Sequence, residues 1–153
     1  NEEMCKEFFY WLGELIKSNS IHNLSKIKTE ILDGYADSRF VFIEFEELIS
    51  RSFSTDCHIA DIFKSVDTYS GRVFNKEVLI EAYSRVIESN FSKFVQSDDM
   101  TLEQAILESN VISLAYNCKC DPELINDYWV FRDQNGKIRK PSTFKPVDLS
   151  DLI

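Results

Sequence analysis

Residues 75–95 read NKEVLIEAYSRVIESNFSKFV. Asn75 is a good helix N-cap, and Phe74 before it and Leu79 at the fourth helical position have the arrangement of a hydrophobic staple. Val78, Ala82, Val86, Asn90, Phe91, Phe94 and Val95 then recur at spacings of three and four, while Lys76, Glu81, Arg85 and Glu88 fall mostly on other faces. Glu81 and Arg85 form an i,i+4 pair in the favourable order. This stretch predicts a helix over about 75–97 that serves as the central packing element, with Phe91 on its core face. Asn90, the isolated polar member of the stripe, is expected to be buried with a hydrogen-bond partner or to mark a kink.

Working outward, residues 2–18 carry Met4, Cys5, Phe8, Leu12, Leu15 and Ile16 at helical spacing. A second amphipathic piece runs from Ile21 to about Leu32, with Gly34 as its expected C-terminal stop. Residues 40–53 are pulled two ways. Phe40, Phe42 and the β-branched Val41 and Ile43 favour a strand locally, whereas Val41, Phe45, Leu48, Ile49 and Phe53 make a helical stripe, which decides for helix. Thr55 or Asp56 then caps a short helix through Ile59, Ile62, Phe63 and Val66, and Ser70-Gly71 reads as a turn.

On the other side, Thr101-Leu102-Glu103-Gln104 is a capping-box pattern. The helix it opens carries Leu102, Ala105, Ile106, Ile112 and Tyr116, and Leu107, Val111 and Leu114 broaden its apolar face, which implies more than one neighbour. Asp121-Pro122 reads as the start of a further short helix carrying Leu124, Ile125 and Tyr128. Asn135-Gly136 predicts a tight turn in a hairpin from Tyr128 to Arg139. The fold class expected is therefore all-α or mostly α: a compact multi-helix bundle around the long helix, closed by a short C-terminal β-hairpin. Residues 1–140 are read as one domain and 141–153, with Pro141 and Pro146, as an extended or partly disordered tail.

Composition narrows the function classes. The chain has 153 residues, of which 44% are hydrophobic and 28% charged, enough for one core and too apolar for global disorder. Lys and Arg number 17 against 26 Asp and Glu, a formal charge of -9 that opposes a broad nucleic-acid surface. No apolar run reaches the roughly 18–20 residues of a membrane span. Cys5, Cys57, Cys118 and Cys120 read as small buried thiols, which suits the cytoplasm or another reducing intracellular compartment, a host cell included if the chain is a viral or secreted effector.

Few residues suggest chemistry. Cys57-His58 with Cys118-Lys119-Cys120 would supply four zinc ligands, but a one-residue gap is poor ligand spacing. Four glycines at 13, 34, 71 and 136 make no phosphate-cradling loop. No catalytic residue, cofactor or metal is expected, and a small metal- or cysteine-dependent enzyme is the third-ranked alternative.

The basic stretch Arg132, Lys137, Arg139 and Lys140 supplies the second: an anion-binding or small RNA- or DNA-binding hairpin. The first-ranked reading is a non-enzymatic protein-binding domain with a locally basic protein partner, acting as an adaptor, inhibitor, immunity-type or host-modulating protein. Residues 1–50 carry ten acidic side chains (Glu2, Glu3, Glu7, Glu14, Glu30, Asp33, Asp37, Glu44, Glu46, Glu47) against Lys6, Lys17, Lys26, Lys28 and Arg39. Phe8, Phe9, Tyr10 and Trp11 cover more than half the circumference of a helix, so Phe9 or Tyr10 must meet solvent, another element or a partner. Phe9, Tyr10, Glu44, Glu46 and Glu47 are the expected interface residues, and homodimerisation through Phe9 or Tyr10 is the variant that needs no basic partner.

Overall fold

The computed structural model describes residues 2–17, 23–50 and 58–153, with backbone alone at 2–4, 44–50 and 58–60. The chain is mostly helical with a short C-terminal antiparallel hairpin, the expected fold class. It forms two compact units, residues 1–87 with 147–153 and residues 88–146. The division expected at 140/141 differs from these boundaries.

The first unit is built on α1 (Glu2–Lys17), α2 (Leu24–Ser50), α3 (His58–Val73) and most of α4 (Lys76–Phe91). Its longest element is α2, 27 residues or about 40 Å. One face of α2 places Ile27 and Ile31 with Phe8 of α1 and Val66 of α3. Another places Leu32 and Ala36 with Ala82 and Val86 of α4 and with Leu149. Apolar residues on two faces let α2 serve two clusters, so it takes the central role expected of residues 75–97.

Gly34 does not end a helix. It lies inside α2, where a Cβ would sit 3.3 Å from Phe8 Cα, so its missing side chain serves close packing of α1 rather than a left-handed stop. Cys5 Sγ lies 3.9 Å from Ser38 Oγ while Phe8 meets Gly34, so α1 and α2 run antiparallel. Residues 40–50 continue α2, in line with the helical choice there; residues 51–53, Thr55 and Asp56 lie outside the described residues.

Ser70-Gly71 is no turn either. Ser70 is buried on the stripe of Phe63 and Val66, and α3 runs through it to Val73. Asn75 caps α4 as read, its Oδ1 accepting from Val78 N–H at 2.9 Å. Phe74 and Leu79 both join the second cluster, and Glu81 pairs with Arg85 at 2.8 Å.

The helix expected to reach residue 97 stops at Phe91, which is 63% exposed and not in the core. Ser92 Oγ donates to Ser89 O at 2.7 Å, competing with the helical ladder, and Val95 leaves to pair with a strand. Asn90 is half-buried and accepts from Lys93 Nζ.

The C-terminal residues return to the first unit. Leu149 is buried, Val147 and Leu152 pack beside it, and Ser150–Leu152 form a 3-10 turn. Arg85 donates to the Asp151 carboxylate at 2.9 Å and to Asp148 O at 2.9 Å, tying this segment to α4.

The second unit packs α5 (Leu102–Tyr116) on a three-stranded antiparallel sheet ordered β1 (Val95–Gln96), β3 (Tyr128–Asp133), β2 (Cys120–Ile125). The capping box is complete: Thr101 Oγ1 accepts from Gln104 N–H and Gln104 Oε1 accepts from Thr101 N–H. Asn117, at φ 48°, ends the helix in the left-handed region that Asn tolerates.

The short helix expected from Asp121-Pro122 is strand β2, paired with β3 from Cys120↔Asp133 to Ile125↔Tyr128. β2 is an edge strand, where proline is tolerated. Its two-residue turn is Asn126-Asp127, both at positive φ, the geometry of a type I′ hairpin. The Asn135-Gly136 turn forms as well, but returns only to a single bridge, Arg132↔Ile138. Val95, Ala105, Ile112, Cys120, Trp129 and Phe131 make the core of this unit, and Trp129 Nε1–H donates to Met100 O at 2.7 Å.

Candidate functional site

The aromatic run on α1 divides by face. Phe8 is fully buried. Phe9 is at the margin of exposure and meets Tyr69 of α3 edge-on, ring centroids 6.4 Å apart. Tyr10 is 60% exposed, and its ring packs edge-on along its own helix, against Trp11 at 5.2 Å. Glu7 and Glu14 stand at i−3 and i+4 from Tyr10, which places an aromatic between two carboxylates on one face. Lys17 approaches Glu14 at 3.4 Å, both side chains in water.

Across the helix pair, Asp33 of α2 is half-buried. Burial first, then the charges of Asp37, Glu30 and Glu7, push its carboxyl up to about 6. A cleft of about 210 Å³ beside it is lined by Thr29, Glu30, Asp33, Val147, Asp148 and Leu149. Arg85 reaches the rim of this cleft through Asp148 O, while its guanidinium is shared with Asp151 and Glu81.

Glu30, Asp33 and Asp37, spaced three and four apart, are the acidic residues that sequence reading passed over; that spacing was the available signal. The expected acidic residues Glu44, Glu46 and Glu47 are on the last turns of α2, with side chains outside the described residues. Residue 44 lies 11 positions beyond Asp33, about 16 Å along the helix.

One basic side chain of the second unit, Arg139, holds a buried carboxylate. Asp133 accepts from Asn135 N–H and Lys137 N–H at 2.9 Å and from Arg139 Nε at 2.8 Å. Burial opposes its ionisation, but the Lys137 and Asn135 N–H groups and the Arg139 guanidinium outweigh it and hold the carboxyl below the usual range. Arg139 also lies 4.9 Å above the Tyr116 ring. Arg132 is taken up by Glu123 and Gly136 O, and Lys140 stands over Phe144 at 4.4 Å. Of the expected anion-binding residues, the two arginines face internal acceptors and Lys137 is exposed.

Cys5, Cys118 and Cys120 are free thiols, and burial, with Cys118 next, pushes the Cys120 thiol up to about 11. Cys57 and His22 lie outside the described residues, as does the His58 side chain. Among the described residues no three His, Cys, Asp or Glu side chains are placed to hold a metal ion, and no helix is long and apolar enough to cross a membrane. Comparison of the chain with protein-family models, curated proteins and solved structures finds no match.

Proposed function

We propose that this chain is a non-enzymatic protein-binding domain that takes a locally basic protein partner on the acidic, aromatic face of α1 and α2, as an inhibitor, immunity-type or host-modulating protein does. The observation that carries the reading is Tyr10, an exposed ring between Glu7 and Glu14 on the helix that brings Glu7 toward Asp33. An amphipathic ring of this kind is a common anchor at interfaces, and the surrounding carboxylates raise the encounter rate with a cationic surface.

The test begins with capture and identification of the partner on the immobilised full chain, followed by rate measurements. Tyr10→Ala is expected to raise the dissociation rate about tenfold. Glu7→Gln with Glu30→Gln and Asp37→Asn is expected to lower the association rate and flatten its salt dependence. The triple Glu44→Gln, Glu46→Gln, Glu47→Gln measures the far end of α2 separately. Unchanged rates in the first two variants would sink the interface. A dimer that dissociates on Tyr10→Ala would replace the basic partner with a second copy.

A further inference from the structure

The second unit carries a surface that its own packing does not use. Within this unit α5 turns Ala105, Ser109 and Ile112 to the sheet. On the opposite side Leu107, Val111 and Leu114, at i, i+4 and i+7, form a straight stripe. Leu107 is 65% and Leu114 85% exposed. Exposed apolar groups scattered singly need no explanation, but three in register on one helix face do. This is the breadth of apolar face that the sequence reading assigned to a second neighbour.

The charges around the stripe identify what fits it. Glu103 stands one turn before Leu107, and Glu108 flanks Val111 at i−3. Residues 102–116 contain no Lys, Arg or His. Over residues 98–127 there are seven acidic side chains (Asp98, Asp99, Glu103, Glu108, Asp121, Glu123, Asp127) and one basic, Lys119. Asp121 and Glu123 lie on β2 and pair with Lys119 and Arg132, which leaves Glu103 and Glu108 as the charged residues of the helix itself. Glu108 accepts from Ser142 N–H and Oγ–H, bonds that fix its position and leave its charge in place.

A second copy laid on this face would oppose carboxylate to carboxylate with no cation on either helix. An anionic lipid surface would be repelled by the same groups.

We infer that the Leu107–Val111–Leu114 face of α5 is a docking ridge for an amphipathic helix of a partner protein, one whose apolar stripe is flanked by Lys and Arg. The inference rests on the reading above for the basic character of the partner, and assigns it a surface in a different unit. Helix against helix buries the two stripes, and the partner's cations meet Glu103 and Glu108 at the rim.

The probe is a fluorescein-labelled helical peptide of about 18 residues, with Leu at i, i+3, i+4 and i+7 and Lys on both flanks, titrated with the full chain. Its counterpart carries Glu on the flanks. The Lys peptide is expected to bind saturably and at least about tenfold more tightly than the Glu peptide. Leu107→Ser with Leu114→Ser should weaken it about tenfold or more, with an unchanged circular dichroism spectrum because both side chains are largely in water.

Glu103→Gln should weaken it about threefold at low salt and less at high salt. Phe9→Ala with Tyr10→Ala should leave it unchanged. Equal binding of the two peptides, or full binding by the double-serine variant, overturns the proposal. So does a dimer, or attachment to phosphatidylcholine vesicles, that the two serines abolish. Peptide binding that survives the serines and disappears with Tyr10→Ala leaves the α1 interface standing and removes this one.

Discussion

Asp33 in the helical unit and Asp133 in the sheet-bearing unit are both withdrawn from water, the first among carboxylates and the second among donors. Asp33 has Asp37, Glu30 and Glu7 for company, and its carboxyl is raised. Asp133 receives two backbone N–H groups and the Arg139 guanidinium, and its carboxyl is lowered. Around Asp33 the charges that act on it are carboxylates, so the local field of the first unit is negative toward a partner. The second contains a one-helix, three-strand core too small to rely on area, and uses directed hydrogen bonds at Thr101, Trp129 and Asp133 to close its loops.

The largest effects should come from the two cores. Phe8 and Phe131 are both fully buried, so Phe8→Ala and Phe131→Ala should each cost about 3–5 kcal/mol in chemical denaturation. Amide exchange should quicken in α2 for the first variant and across β2 and β3 for the second. A loss under about 1 kcal/mol in either would show that its ring is not where the core lies.

Acidity separates the two aspartates. The folded value near 6 at Asp33 exceeds the ordinary carboxylate value of 3.8, so this group favours the folded state fully below pH 3.8 and ceases to do so as pH rises through 6. Asp133, lowered, has the reverse sign: its contribution is complete above the ordinary carboxylate range and is lost as pH falls through its folded value. Asp33→Asn should therefore stabilise the first unit at pH 7 by about 1 kcal/mol, after screening through its exposed side, and give no gain at pH 3.5. Asp133→Asn should lower stability at pH 7, with the gap narrowing in acid. A gain at pH 3.5 equal to that at pH 7 would show that the Asp33 charge is not the cause.

Where the local signal and the tertiary partner agreed, the fold was legible. Asn75 and Thr101 cap helices because the acceptor and the N–H it satisfies are three residues apart, within reach of any sequence window. Gly34 was misread because its reason for being glycine is Phe8, on another helix. Asp121-Pro122 carries a sound helix-start signal that the ladder to β3 overrides. Phe91 continues a helical stripe, but the stripe stops where Ser92 turns back on Ser89.

Of the site, four consecutive aromatics on one helix implied that Phe9 or Tyr10 meets solvent, another element or a partner; Phe9 meets Tyr69 and Tyr10 is exposed. The acidic cluster was not implied, because Glu44, Glu46 and Glu47 crowd together in sequence while Glu30, Asp33 and Asp37 meet Glu7 only through the α1–α2 packing. Asp133 was unreadable in advance, since its three donors converge only when the loop to Arg139 closes.

The capping box measures how much the second unit depends on such directed bonds. Thr101→Ala removes the acceptor for Gln104 N–H and should cost about 1 kcal/mol, whereas Thr101→Ser should restore most of it. An alanine variant as stable as the native chain would mean that the helix start is held by packing rather than by its cap.

The smallest effect discriminates two serines buried in the first unit. Ser38 Oγ donates to Gly34 O at 2.6 Å, whereas Ser70 Oγ has no hydrogen-bond partner among the described residues. A hydroxyl withdrawn from water without a partner destabilises the fold, and a methyl in its place carries no such penalty. Ser70→Ala should therefore be neutral or stabilising by up to about 1 kcal/mol, gaining helix propensity as well. Ser38→Ala forgoes a formed bond and should cost up to about 1 kcal/mol, offset in part by the same propensity gain. The difference between the two substitutions, measured in one denaturant series, cancels propensity and the lost oxygen and leaves the contacts of the Ser38 hydroxyl, with Gly34 O and Cys5 Sγ. Equal effects would mean that the Ser70 hydroxyl is satisfied in solution, by Val66 O one turn earlier or by water. The α3 face would then be wetter than the apolar stripe of Phe63 and Val66 implies.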